Sequence, residues 1–175
     1  MRAIETPRLR LRPFTPADTE DHRRLYADPE VTRFLGRGPT APGEVPARSA
    51  RVLAEFVAHW SERGFGPWAV IDRASGQLIG QCGLRHWPVI DDIELLYAVA
   101  RPYWGRGLVT EAARAALAHG FREVGLRRVV AVTWPDHAAS RAVIARLGMR
   151  LESEVVLLDR PAVLYALTAA DFGDG

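Results

Sequence analysis

The most informative stretch of the chain is R-P-Y-W-G-R-G-L-V-T-E-A-A, which runs from Arg101 to Ala113. It follows an apolar run, Ile93 to Ala100, and leads into a segment with helical periodicity, so it predicts a strand, a glycine turn and a helix start. Backbone N–H groups at a helix start have no partners within the helix, and the helix dipole adds partial positive charge there. The stretch therefore predicts a binding site for a phosphate or pyrophosphate group.

Glycine turns also occur in dinucleotide-binding and triphosphate-binding folds. A Rossmann turn places a third glycine three residues after the second, where this chain has Thr110. A P-loop needs a lysine, and the chain contains none. The turn also lies in mid-chain rather than after the first strand, which disfavours a dinucleotide-binding unit.

Length and composition predict one domain covering residues 1–175, because 175 residues with 48% hydrophobic content suffice for a single core. The formal net charge is only +2 and no basic run stands out, so no nucleic-acid partner is expected. Cys82 is the only cysteine, which excludes an intramolecular disulfide and fits a reducing cytoplasm. No stretch has the length of a signal peptide core or a membrane span, so we expect a soluble protein without a membrane partner.

Hydrophobic periodicity predicts a mixed α/β (α+β) domain. Thr15 and Asp18 predict a helix start with a capping box, and three glycines and three prolines predict a mobile loop over Gly36–Pro46. A helix separates the strands Ile93–Ala100 and Arg128–Thr133, so we expect these two to be parallel. The other predicted strands are Arg8–Phe14, Pro67–Asp72, Leu78–Trp87, Met149–Leu158 and Val163–Thr168, and the other predicted helices are Thr15–Ala27, Asp28–Glu30, Ala47–Arg63 and Asp136–Leu147.

Three segments resemble, in the same order, motifs of the GNAT N-acetyltransferase superfamily, and most of all its ribosomal-protein N-terminal acetyltransferase branch. The central segment is E-L-L-Y-A-V-A-R-P-Y-W-G-R-G-L-V-T-E-A from Glu94. The second is P-D-H-A-A-S-R-A-V-I-A-R-L-G-M from Pro135, and the opening segment is T-P-R-L-R-L-R-P-F from Thr6. Together they span most of the chain.

The resemblance implies a GNAT-like fold, with a mostly antiparallel central sheet, a splayed pair of parallel strands and flanking helices. It also implies acetyl-CoA as co-substrate, without a metal, its pyrophosphate held by the amides of the glycine turn and its pantetheine arm lying between the splayed strands. Arg101 and Arg106 either add charge at the rim or are simply solvated. The residues that the resemblance assigns to the cofactor are Val99, Arg101, Gly105, Arg106, Gly107, Leu108, Val109, Thr110, His137 and Ser140.

Acetyl transfer to an amine needs a base for the amine and a group that stabilises the leaving thiolate. Glu94 is the candidate base, because it lies in an otherwise apolar strand where burial raises a carboxyl pKa; the alternative is a glutamate facing solvent or paired with an arginine. Ser140 is the candidate for the thiolate, with simple helix capping as the alternative. His137 stands where the family usually has asparagine and is a third candidate. Ile144 stands at the position of the tyrosine acid of many members, which excludes a tyrosine acid there.

The acceptor is a primary amine. An α-amine has a pKa near 8 and a lysine side chain one near 10.4, so deprotonation at pH 7.5 costs under about 1 kcal/mol for the first and about 4 kcal/mol for the second. This favours a protein or peptide α-amino group; the alternatives are a small amine (amino acid, polyamine or antibiotic) and a catalytically silent acyl-CoA-binding module. A homodimer is an expected assembly. The acceptor is expected to contact Phe34, Trp87 and Tyr165, with Asp91 and Asp92 nearby to attract a cationic amine.

Overall fold

The computed structural model describes residues 3–173 of the chain. Its strands are β1 (Ile4–Glu5), β2 (Leu9–Arg12), β3 (Pro67–Asp72), β4 (Leu78–Trp87), β5 (Asp92–Val99), β6 (Arg128–Thr133), β7 (Arg150–Leu157) and β8 (Arg160–Thr168). Its α-helices are α1 (Thr19–Ala27), α2 (Pro29–Thr32), α3 (Val45–Arg63), α4 (Leu108–His119), α5 (Ala138–Arg146) and α6 (Ala169–Gly173).

The strands form one sheet in the order β1-β2-β3-β4-β5-β6-β8-β7. Neighbouring strands are antiparallel except β5 and β6, which are parallel and paired only at Glu94 and Val130. Beyond that residue pair the two strands diverge. The structure thus confirms the mixed α/β fold and the splayed parallel pair expected from the resemblance.

Helices cover both faces of the sheet, and side-chain alternation along β3 shows which face is which. Trp68 and Val70 belong to the main core, which contains the apolar face of α4, whereas Ala69 and Ile71 pack with Phe56 of α3. Side chains alternate between the faces of a strand, so the same division extends across the sheet. We call the two sides the α4 face and the α3 face.

Most predicted boundaries agree with the structure to within one or two residues. The Asp18 carboxylate accepts a hydrogen bond from the Thr15 N–H at 2.7 Å, as a capping box requires. Helix α3 ends where Gly64 adopts a left-handed φ of 75°. It begins at Val45, earlier than predicted, because Pro46 fits the first turn of a helix.

Three features were not predicted. Strand β1 has two residues and helix α6 has five, too few for a periodic pattern. Helix α4 continues into a π-helical turn over Gly120–Val124.

No helix within residues 3–173 has both the length and the apolarity that a membrane span requires.

Candidate active site

The glycine turn between β5 and α4 has the backbone geometry that the sequence predicts. Gly105 and Gly107 have φ values of 72° and 73°, in the left-handed region that side chains with a Cβ rarely adopt. Gly107 directly precedes Leu108, the first residue of α4, so the unpaired N–H groups of the first helical turn lie next to the two glycines.

A polar network outside the predicted motif holds this turn. The Glu111 carboxylate accepts hydrogen bonds from Thr6 Oγ1 at 2.7 Å and from the backbone N–H and Nε of Arg8 at 2.9 and 2.6 Å. Arg8 Nη1 in turn donates to the carbonyl oxygen of Arg106 at 2.8 Å. Burial raises the pKa of Glu111, but the hydrogen bonds from Thr6 and Arg8 outweigh it and lower that pKa overall. The lead-in to β2 thus anchors the turn.

A cleft of about 1890 Å³, which we call the turn cleft, runs from the glycine turn along α4 to the start of α5. Most residues assigned to the cofactor line it, namely Val99, Gly105, Arg106, Gly107, Leu108, Val109, Thr110, His137 and Ser140. Arg101 is not among the residues that line it, so its contact with the cofactor stays a prediction. Its guanidinium faces Asp28 at 3.2 Å.

A second cleft of about 910 Å³, the loop cleft, opens on the α3 face. Phe34, Trp87 and Glu94 line it, as does the segment that follows α2, residues 34–41. The glycine and proline content predicts a mobile loop here, but Arg48 anchors it. The Arg48 guanidinium donates to the carbonyl oxygens of residues 35 and 38 at 2.8 and 2.5 Å and to Thr40 Oγ1 at 2.6 Å.

Three residues expected near the acceptor line neither cleft. Tyr165 lies in the main core with 9% of its surface exposed, and its hydroxyl accepts a hydrogen bond from Arg141. Asp91 pairs with a histidine at 2.9 Å and Asp92 pairs with Arg128 at 2.9 Å. Asp92 is thus paired with an arginine, Asp91 stays largely exposed beside its histidine, and Tyr165 lies in the core away from both clefts.

The two clefts share five lining residues: Phe34, Leu35, Tyr97, His137 and Ser140. We call this place the junction. The rings of Phe34 and His137 stack with 3.8 Å between centroids, and Trp134 Nε1 donates to the Phe34 carbonyl oxygen at 3.1 Å. Burial lowers the pKa of His137, so its imidazole is neutral near pH 7.

Tyr97 is the residue that sequence analysis missed. Its Oη lies 2.9 Å from Ser140 Oγ, so the Ser140 hydroxyl bonds a tyrosine and does not cap α5. Burial raises the pKa of Tyr97, which keeps its hydroxyl protonated and makes it a hydrogen-bond donor rather than an acid. Ile144, at the usual tyrosine position, is buried in the main core.

Glu94 is 7% exposed and pairs with Arg85 Nε at 2.9 Å. The two residues are direct cross-strand neighbours on β5 and β4. Of the alternatives open from sequence, the structure therefore shows a buried glutamate paired with an arginine and lining a cleft. Burial raises the pKa of Glu94, and Arg85 opposes this rise only in part.

Glu94 and Tyr97 point to opposite faces of the sheet. Leu95 and Tyr97 pack with the main core on the α4 face, whereas Leu96, which has the same parity as Glu94, packs on the α3 face. The divergence of β5 from β6 after the Glu94–Val130 pair leaves a gap between the faces. A buried carboxyl group on one side and a hydroxyl pair on the other therefore flank the same gap.

Other chemistry has less support at this place. Cys82 is 1% exposed in the main core, and burial raises the pKa of its thiol, which disfavours it as a nucleophile. Within residues 3–173 no three His, Cys, Asp or Glu side chains are grouped so as to hold a metal ion.

A splayed strand pair, a glycine turn at a helix start and a second cleft at the strand gap define the class of coenzyme-dependent acyltransferases. The sequence profile of the acetyltransferase (GNAT) domain matches residues 8–150. The chain therefore belongs to the GNAT family and is an acetyl-CoA-dependent N-acetyltransferase.

Relatives of known name fit this family. An acetyltransferase from Agrobacterium tumefaciens of solved structure superposes with a TM-score of 0.83 at 28% identity, over 95% of this chain and 94% of that one. The FsC-acetyl coenzyme A-N(2)-transacetylase of Aspergillus fumigatus is 29% identical over 83% of this chain and 64% of its own length. Mycobacterium smegmatis RimJ, in complex with CoA-disulfide, shares the fold with a TM-score of 0.78 at 22% identity, over 93% and 83% of the two chains.

Proposed function

We propose that this enzyme transfers the acetyl group of acetyl-CoA directly to the α-amino group of a protein or peptide. The observation that carries the proposal is the gap between β5 and β6, which Glu94 of the loop cleft flanks on the α3 face and the Tyr97–Ser140 pair of the junction flanks on the α4 face.

The residues of the turn cleft fit acetyl-CoA. The N–H groups of Gly105 to Val109 are the proposed ligands of its pyrophosphate, since hydrogen bonds to a charged group contribute roughly 1.5–3 kcal/mol each. Arg106 also lines this cleft and adds positive charge at its rim. Bound acetyl-CoA supplies an activated thioester. The acceptor nitrogen attacks its carbonyl carbon, and the acetyl group is transferred.

Glu94 is the proposed general base. It removes a proton from the acceptor ammonium, directly or through one water, so that the neutral nitrogen can attack the acetyl carbon. The new C–N bond forms, the C–S bond breaks, and the nitrogen releases its remaining extra proton to solvent. The Ser140 hydroxyl, held by Tyr97, donates a hydrogen bond to the sulfur and stabilises its negative charge. The sulfur is then protonated from solvent.

The pKa of the acceptor supports an α-amine. A single carboxyl group with a raised pKa can deprotonate an amine of pKa near 8, whereas a lysine side chain would cost about 4 kcal/mol at pH 7.5. A small-molecule amine is the second candidate, since the Aspergillus fumigatus relative is named an acetyl coenzyme A-N(2)-transacetylase without mention of a protein acceptor. Cytoplasmic location and a homodimeric state remain predictions.

The proposal is tested with a peptide substrate and the Glu94→Gln variant. We expect wild-type enzyme to release thiol and acetylate the peptide N-terminus, and Glu94→Gln to bind acetyl-CoA normally but turn over at least about 100-fold more slowly, the typical contribution of a general base. Glu62→Gln, on the exposed side of α3, is the matched control and keeps wild-type turnover. Unchanged turnover in Glu94→Gln would remove Glu94 from the mechanism. Acetyl-CoA binding without turnover of any amine would indicate a silent binding module.

A further inference from the structure

Arginines outnumber carboxylates along the loop cleft. Four arginines line it, Arg37, Arg48, Arg51 and Arg85, against two glutamates, Glu44 and Glu94. The cleft therefore has an excess of two positive charges.

The arginines differ in how far carboxylates neutralise them. Arg85 is balanced by Glu94 at 2.9 Å. Arg48 is bound by two carbonyl oxygens and a hydroxyl, none of which carries a charge. Arg51 lies 3.8 Å from Glu55, and both side chains are more than half exposed, so this pair contributes little.

The remaining charges of the cleft are Arg37 and Glu44, and neither forms an ion pair with any residue in the range 3–173. The lining of the cleft therefore includes three arginines, Arg37, Arg48 and Arg51, and besides Glu94 a single carboxylate, that of Glu44. Glu94 is the only buried carboxylate on its wall, at the end next to the junction. The cleft thus has an acidic inner end and a basic outer part.

We propose that the acceptor is an acidic peptide: its α-amine enters toward Glu94, and carboxylates on its first residues face Arg37, Arg48 and Arg51. This inference rests on the proposed function and names the substrate class of the same site. Carboxylates match the guanidinium geometry, whereas a polyamine or a lysine-rich peptide would bring like charges together.

The test compares three peptides with the same α-amine and an amidated C-terminus: Ala-Asp-Glu-Ala, Ala-Asn-Gln-Ala and Ala-Lys-Lys-Ala. We expect kcat/KM for thiol release to be at least about tenfold higher for the acidic than for the neutral peptide, about 1.4 kcal/mol, and lowest for the lysine peptide. The preference decreases with salt, because exposed charges are screened.

Substitutions assign the preference to the cleft. The double variant Arg37→Ala/Arg51→Ala is expected to reduce the acidic preference, the ratio of kcat/KM for the acidic peptide to that for the neutral peptide, to near unity. Arg63→Ala lies on the same helix as Arg51 but outside both clefts, and retains the preference. Circular dichroism of each variant verifies that the fold is intact.

Each of the remaining outcomes would overturn one or both proposals. Equal rates for the three peptides, or a preference for lysine, overturn the inference and leave the proposed function in place. Turnover of free aspartate that matches the acidic peptide overturns the peptide assignment in favour of a small acceptor. No turnover with any peptide, although acetyl-CoA binds, overturns both proposals.

Discussion

At the scale of single residues, Tyr97 is a positioning residue that acts through Ser140. Its hydroxyl is protonated and lies 2.9 Å from Ser140 Oγ. Either hydroxyl can be the donor in this bond; when Tyr97 donates, the Ser140 hydrogen is free to point into the junction. We propose that the serine contacts the coenzyme sulfur and that the tyrosine fixes its orientation.

We predict that Ser140→Ala lowers kcat by about 10- to 100-fold, because a hydrogen bond to a charged sulfur contributes roughly 1.5–3 kcal/mol. Tyr97→Phe lowers kcat by about tenfold. The double variant is no slower than Ser140→Ala, since both changes remove one interaction. Steady-state kinetics and acetyl-CoA titration measure the three variants.

Tyr165→Phe is the control for this series. It also removes a tyrosine hydroxyl, but from a residue of the main core. Its kcat stays near the wild-type value. Additive losses in the double variant would show that Tyr97 acts independently of Ser140.

A second residue-scale prediction concerns His22, whose side chain is fully buried. Its Nδ1 lies 2.7 Å from Ser49 Oγ and its Nε2 lies 3.1 Å from Gln81 Oε1. Burial lowers the pKa of His22 to about 4, against the smaller opposing effects of Gln81 and Asp18. The folded protein thus binds a proton at this site less readily than the unfolded chain.

Stability should therefore fall as pH decreases from about 6.5, the unfolded pKa of histidine, to about 4, with a total loss of about 3 kcal/mol at this site. Urea unfolding between pH 7 and pH 4.5 measures this loss. His22→Gln lacks the titrating group, so its free energy of unfolding should change less with pH. Parallel pH profiles for variant and wild type would refute the assignment.

At the scale of elements, the glycine turn depends on the segment between β1 and β2 as much as on α4. Glu111 of α4 binds Thr6 and Arg8, and Arg8 binds the Arg106 carbonyl within the turn. The turn therefore has its shape fixed before a ligand arrives, which reduces the entropy lost on binding.

We predict that Glu111→Gln raises the acetyl-CoA Kd by about tenfold, because the amide loses the charge that orders Arg8 and the turn. Glu123→Gln, near the other end of the same helix, is the matched control. Calorimetric titration compares the two variants. Equal affinities would show that the turn keeps its shape without the Glu111 contacts.

The helices, strands and turns could be predicted from sequence better than the contacts between them. The Gly-x-Gly spacing predicts the turn and the start of α4, since left-handed φ values favour glycine locally. The bond between Tyr97 and Ser140 joins positions 43 apart, and the approach of β5 to α5 creates it. No local pattern encodes that approach, so sequence analysis found the serine and missed the tyrosine.

Arg101 illustrates the same limit. Its place beside the turn left open whether it adds charge at the rim or is solvated, and only the fold shows that Asp28 lies 3.2 Å from its guanidinium. Tyr165 likewise points into the core because it packs on the same face as α4.

At the scale of the whole molecule, one sheet with cores on both faces should unfold as a unit, as expected for a single domain over residues 1–175. We predict coincident transitions by circular dichroism and tryptophan fluorescence. Acetyl-CoA at about 100 times its Kd adds about 2.7 kcal/mol to the free energy of unfolding, or about 5–11 °C in Tm. NAD at equal concentration leaves Tm unchanged. Two separate transitions would argue for two units.

The gap between β5 and β6 has a consequence for inhibitors. A single compound that joins the coenzyme sulfur to the acceptor nitrogen would be threaded through the sheet, with one half held on each face. Each half, once bound, keeps the other half at high local concentration near its site. The affinity of the joined compound therefore exceeds that of either substrate by about 10²- to 10⁴-fold. Such a compound can leave only after one half is drawn back between the strands, and its residence time on the enzyme is correspondingly long.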